Sequence, residues 1–190
     1  FDESGKLIHH YNQDFTTSIL EDRSGFLWLG TGSNGIYTAK SSTNNFKPQG
    51  YGLDALNILT GQHILGVLED NSDNLWIGTA DESLYKYNLT SNKLEGYSYK
   101  TGNAKGLGSG FIAFIFSDSK NRIWVGTLAG LSLFNPETNS FRTFYVDPVT
   151  KSSEYNFFVY GAEDDNGNLT FGTWKSPENY IRSYSFNFNE

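Results

Sequence analysis

The chain has 190 residues, enough for one domain with a substantial core. A net charge of −7 argues against a nucleic-acid partner, which calls for a basic face. With 37% hydrophobic residues, no apolar run approaches the ~20 residues of a membrane span, and the absence of cysteine excludes disulfides and thiolate metal sites.

The chain opens at Phe1 in mid-pattern and shows no signal peptide, as an excised piece of a longer protein would. Residues 1–11 read as the tail of one strand, a Ser4-Gly5 turn and a strand from Lys6 to Tyr11. A first strand is predicted over Thr16 to Glu21, then a tight turn at Asp22-Arg23-Ser24-Gly25, where Asp accepts from amides ahead of it and Gly tolerates positive φ. The next strand is Phe26-Leu27-Trp28-Leu29-Gly30-Thr31, apolar at consecutive positions and therefore expected to bury both faces. A polar turn, Gly32-Ser33-Asn34-Gly35, leads to a third strand, Ile36 to Ala39.

The same order then returns. Asn74-Leu75-Trp76-Ile77-Gly78-Thr79 and Arg122-Ile123-Trp124-Val125-Gly126-Thr127 repeat the hexapeptide, and Asn168-Leu169-Thr170-Phe171-Gly172-Thr173 is a divergent fourth copy. An acidic residue precedes each glycine by eight positions, at Asp22, Asp70, Asp118 and Asp164. Third strands recur at Leu84 to Tyr87, Leu131 to Phe134 and Ile181 to Tyr184, and fourth strands at Leu94 to Tyr99 and Phe141 to Tyr145. The glycines fall at 30, 78, 126 and 172, a spacing of 48, 48 and 46, and helical periodicity is absent. Four-stranded antiparallel units at this period read as blades of an all-β propeller. The repeats run over about 12–59, 60–107, 108–153 and 154–190 plus 1–11 in a single domain. Either the N-terminal strand completes the last of about four blades and closes a ring, or the four belong to a larger ring. In the second case exposed blade faces would drive self-association.

The recurring string of acidic residues, Gly or Asn, Leu-Trp-Ile-Gly-Thr and a following Gly-Leu or Gly-Ile resembles the two-component regulator propeller repeat. Phe134-Asn135-Pro136-Glu137-Thr138-Asn139-Ser140-Phe141 is similar to the link between its third and fourth strands. Such repeats are found in the sensor regions of bacterial hybrid histidine kinases, many from gut Bacteroides. The resemblance implies long periplasmic receptors with two seven-bladed propellers, a β-sandwich, one membrane span, and kinase and regulator domains. It also implies glycan fragments as ligands, with binding relayed to the kinase. The present chain departs from that plan in having about four repeats and no sandwich, span or kinase segment, so the resemblance implies a sensor piece.

Enzyme and metal motifs fail one by one. His9 and His10 alternate across a strand and cannot easily share a metal, and with His63 they read as structural or solvated. Glu69-Asp70 and Glu163-Asp164 fill a slot that recurs at the turns, as geometry rather than catalysis requires. Asp164-Asp165-Asn166-Gly167-Asn168 lacks the calcium loop's final Glu, where Lys175 stands. Gly106-Leu107-Gly108-Ser109-Gly110 has neither the Lys-Ser/Thr tail nor the helix of a phosphate loop, and it is no nucleophile elbow.

A non-covalent binding module remains, with no cofactor and no metal. Aligned first strands put Asp14, Gln62, Gly110 and Asn156 at the channel mouth, a column that varies as a shaped site would. The longest turn between second and third strands, in the fourth repeat, offers Trp174, Lys175, Glu178 and Tyr180, two aromatic faces with polar partners suited to a sugar ring. The ligand candidates are therefore these four with Asp14, Gln62, His63 and Asn156. The expected function is a periplasmic, ligand-sensing segment taking an oligosaccharide or other small ligand. It would dimerise through its parent receptor, bind no nucleic acid and not itself insert in a membrane. The alternatives are a ligand-free dimerisation platform or a propeller lyase or glycosidase.

Overall fold

The structure, a computed structural model, describes residues 15–40, 47–48, 55–81, 83–103, 105–151, 153–174 and 183–186. Four separate antiparallel sheets follow one another. The first holds β1 (Thr16–Glu21), β2 (Phe26–Thr31), β3 (Ile36–Lys40) and β4 (Lys47–Pro48). The second holds β5 (Ile64–Glu69), β6 (Asn74–Thr79), β7 (Ser83–Asn88) and β8 (Lys93–Ser98). The third holds β9 (Ile112–Ser117), β10 (Ile123–Thr127), β11 (Gly130–Asn135) and β12 (Ser140–Phe144). The fourth holds β13 (Phe158–Glu163), β14 (Leu169–Thr173) and β15 (Ser183–Phe186). Each sheet is a meander in chain order, the architecture of a β-propeller blade. Helix is limited to a 3₁₀ turn at Ala55–Leu59 and a four-residue helix, α1, at Ser153–Asn156, among the described residues. The strand proposed over Lys6 to Tyr11, and with it the closing of a four-bladed ring, lies outside them.

The first strands β1, β5, β9 and β13 pack on one another in order and form the inner wall. Three apolar clusters fill the spaces between successive blades. Trp28 lies with Ile64 and Ile77 between the first two, Trp76 with Ile112 and Phe134 between the next, and Trp124 with Phe158 and Phe171 between the last two. The hexapeptide of the second blade is buried at all six positions because a neighbour covers each face. Its glycine is a contact requirement. A Cβ at Gly78 would stand 2.5 Å from Cγ2 of Ile112 in the next blade, so only a bare backbone lets the blades close up.

The repeating acidic residue turns each hairpin and holds its tryptophan. Asp22 Oδ1 accepts from the amides of Ser24 and Phe26, both at 2.9 Å, and Oδ2 accepts from the Trp28 indole at 2.8 Å. Asp70 repeats this with Trp76 and Asp118 with Trp124. In the fourth copy the tryptophan position is Thr170, and Asn168 Nδ2 takes up the second oxygen of Asp164 at 2.8 Å. The neighbouring glutamates latch blade to blade. Arg23 donates to Glu69, Asp73 and the Asp70 carbonyl, and Ser119 donates from both its amide and its hydroxyl to Glu163.

Glu95, on β8, shows how this polar shell depends on pH. Its carboxylate accepts from Lys93 at 2.7 Å, Tyr97 at 3.0 Å and Lys86 at 3.4 Å. The Lys93 bond, helped by Tyr97 and Lys86, outweighs burial and brings its pKa from 4.5 down to about 2. A carboxylate whose pKa is lower in the folded state contributes stability that is complete above its unfolded value and lost as pH falls. The urea midpoint should therefore hold level from about pH 7 to 5 and decline below about 4.5, with a shallower decline in Glu95→Gln.

Candidate functional site

Each first strand begins with a register shift against its partner, a bulge at residues 16–18, 64–66, 112–114 and 158–160. Bulges at the rim of a sheet re-aim the side chains beside them. Here the residue just before each strand is Phe15, His63, Phe111 or Phe157, a column in step with the repeat. Their carbonyls accept from the amide after each hexapeptide: Gly32 at 3.1 Å, Ala80 at 2.9 Å, Leu128 at 3.2 Å and Trp174 at 2.8 Å. One backbone bond per blade thus pins the start of the inner strand to the turn leaving the second strand.

These residues form an aromatic arc at one end of the inner wall. Phe15 meets His63 edge to face at 5.9 Å, and Phe111 meets Phe157 in the same way at 5.7 Å. Trp174 lies 6.3 Å from Phe157, tilted by 40°. The turn position grows around the arc from Gly32 through Ala80 and Leu128 to Trp174. The small end is required, because a Cβ at Gly32 would enter the Phe15 ring. At the large end Trp174 keeps 71% of its surface exposed, and Phe15 keeps 64%. The polar groups beside the arc are the half-buried His63 and the exposed Asp81, whose Oδ2 accepts the His63 amide at 2.9 Å. Exposed ring faces with a few hydrogen-bonding groups can bind a flat, partly apolar ligand. Among the described residues no three His, Cys, Asp or Glu side chains are grouped to hold a metal ion.

The expected site residues divide accordingly. Trp174 and His63 belong to the arc. Gln62 is half-buried, its carbonyl accepting the Gly35 amide at 3.0 Å while its Oε1 is buried without a partner. Asn156 needs correction as a mouth residue: it has no exposed surface, and its Oδ1 accepts from the amides of Val146 at 2.7 Å and Asp147 at 3.1 Å. Its amide fastens the loop before α1, which leaves the mouth to the next residue, Phe157. Asp14, Lys175, Glu178 and Tyr180 lie outside the described residues. Sequence reasoning missed Phe15, Phe111 and Phe157, although an aromatic column one place beyond the chosen one, at the same period, was there to be read.

Two stretches, residues 10–33 and 58–81, match the family model described as two component regulator propeller. At these two stretches the chain is similar to that family's repeat. Both matched stretches take in a first strand, its Asp turn and the tryptophan hexapeptide, the parts with the strongest packing constraints. Among solved structures the repeats are similar to the extracellular domain of BT4673, a proposed one-component system from B. thetaiotaomicron. That match has 22% identity and a TM-score of 0.70 and covers 96% of this chain and 24% of that one. The extracellular domain of BT3049, a proposed hybrid two-component system of the same organism, matches at 23% identity and a TM-score of 0.62, over 90% of this chain and 23% of that one. The WD40 propeller of Doa1 matches at 10% identity and a TM-score of 0.59, over 91% and 51%. These are likenesses of fold, and the chain spans about a quarter of the two B. thetaiotaomicron chains. No curated protein gives a sequence match. Among the described residues no helix is long and apolar enough to cross a membrane.

Proposed function

We propose that the chain is an extracytoplasmic sensing segment that binds a glycan fragment on the aromatic arc and passes the binding on to a kinase in a parent receptor. The observation that carries this reading is the pair of exposed rings, Trp174 and Phe15, at the two ends of an arc built by one repeated backbone bond. Sugar rings present apolar faces and hydroxyl rims, which fit ring faces flanked by His63 and Asp81. The matched repeat family and the propeller neighbours, described as extracellular domains, support the sensing role. A ligand transmits only by binding two arrangements of blades or protomers unequally, so the arc must differ between them.

Calorimetry with a panel of neutral oligosaccharides tests the site. At least one should bind the parent, and Trp174→Ala should weaken that complex about tenfold, the worth of one stacked ring. A second reading, a dimerisation platform, is favoured by Ile19 on β1, which is 67% exposed on the face of the first blade turned away from the second. If the parent binds no sugar and forms a tight dimer that Ile19→Lys dissociates, the platform replaces the sensor.

A further inference from the structure

On the outer side of the propeller, two hollows of about 440 and 260 Å³ lie where the segment after β8 crosses to β12. They share Lys100, Asn103, Gly106 and Leu107 as a common wall. Tyr99, Tyr145 and Lys151 line the larger one, and Lys105 the smaller. Among the described residues no Asp or Glu lines either, although the chain carries a net charge of −7. All three lysines are exposed, and among the described residues none is paired with a carboxylate.

The segment is fixed in place. The Phe141 amide donates to the Lys105 carbonyl at 2.9 Å, Thr143 Oγ1 to the Gly106 carbonyl at 3.1 Å, and the Gly108 amide to Ser132 Oγ at 3.2 Å. Lys151 supplies an independent sign. Among the described residues five non-glycine residues have positive φ, and the four besides Lys151, namely Asp73, Asn92, Asn121 and Asn139, are types that tolerate it. Lysine has no such preference, yet Lys151 sits at φ 51° with Nζ 4.9 Å from the centre of the Tyr145 ring. Backbone strain of this kind is kept where a side chain must be aimed. Burial, with the Tyr99 phenol nearby, raises the Tyr145 pKa, so the Tyr145 hydroxyl stays protonated and able to donate.

We propose that this groove binds an acidic sugar, with the carboxylate or sulfate between Lys100 and Lys151 and the ring against Tyr99. A hollow of this size takes a small organic ligand rather than a bare ion, and the exposed Tyr99 ring offers the flat face a pyranose stacks on. The pinned segment holds the lysines before the ligand arrives, which lowers the ordering cost of binding. The site is separate from the aromatic arc and does not rest on its role.

The test titrates the 190-residue chain with trigalacturonate, a sulfated disaccharide, neutral cellotriose and tetraglutamate at 20 and 200 mM NaCl. At least one acidic sugar should bind, more weakly at the higher salt, and the preferred one tells carboxylate from sulfate. Lys100→Gln and Lys151→Asn should each weaken it about fivefold, the attraction of one exposed charge pair. Lys151→Asn should melt no lower than the parent, since asparagine suits the backbone there, which separates lost binding from lost folding. Trp174→Ala should bind the acidic sugar unchanged. The proposal is overturned if neither acidic sugar binds at millimolar concentration, or if cellotriose or tetraglutamate binds Trp174→Ala as tightly as the acidic sugar does. It also falls if the lysine variants match the parent, or if Trp174→Ala abolishes the binding.

Discussion

Exchanging Asp118 for alanine should lower the unfolding free energy by about 3 kcal/mol, read as a drop in urea midpoint at unchanged slope. Three losses combine. The turn loses the acceptor of the Lys120 and Arg122 amides, at 3.0 and 2.9 Å. Arg122, held at 2.6 Å, loses its ion partner, and the buried Trp124 indole loses an acceptor at 2.9 Å. Leaving that N–H unsatisfied is the largest of the three, because no water reaches it. Burial alone would push the Asp118 pKa up, but the Trp124 and Arg122 bonds hold it below the ordinary value, so its contribution too is present at neutral pH and lost in acid. Asp164→Ala is the control. That residue is exposed and has Thr170 where the others have tryptophan, so its loss should be a small fraction of the first. Equal losses at the two positions would mean that turn capping alone matters and the indole bond does not.

The Asp-to-Trp bond also shows how far the sequence could be read. The period, the Asp turn and the tryptophan hexapeptide were visible because one packing problem is solved four times with nearly the same residues. Burial of both faces followed from Leu75, Trp76 and Ile77 standing in a row. The hydrogen bond between residues six apart was not visible, since it depends on the hairpin register that places Trp28 opposite Leu20. The mouth of the inner wall was missed by one residue for the same reason. A bulge at the start of each first strand shifts which side chain faces the rim, and bulges leave no mark in composition. Asn156, polar and set in a variable column, looked like a ligand contact, while its actual partners, the amides of Val146 and Asp147, belong to no pattern. The lysine groove was out of reach altogether, because Lys100 and Lys151 come from different loops and only the stacking of blades brings them to one hollow.

Gly126→Ala should cost about 3 kcal/mol, whereas Gly66→Ala should be neutral or slightly stabilising. The two glycines lie on strands of neighbouring blades, and they differ in what a methyl group would meet. At Gly126 it would enter the Phe114 ring and come within 2.7 Å of the Phe158 carbonyl, a backbone atom that cannot turn aside. At Gly66 the nearest atoms belong to Ile115 at 3.7 Å, an ordinary contact, so alanine fills space and restricts the unfolded chain. The first substitution also tests how the fold serves the site. Phe158 follows Phe157, whose ring and carbonyl hold Trp174 and Phe111 in the arc. Pushing β13 away from β10 should therefore loosen the arc before the protein unfolds, seen as weaker glycan binding at temperatures where Gly126→Ala is still folded. Binding that survived while stability fell by the full amount would mean that the arc is held by its own ring contacts and not by the approach of the blades.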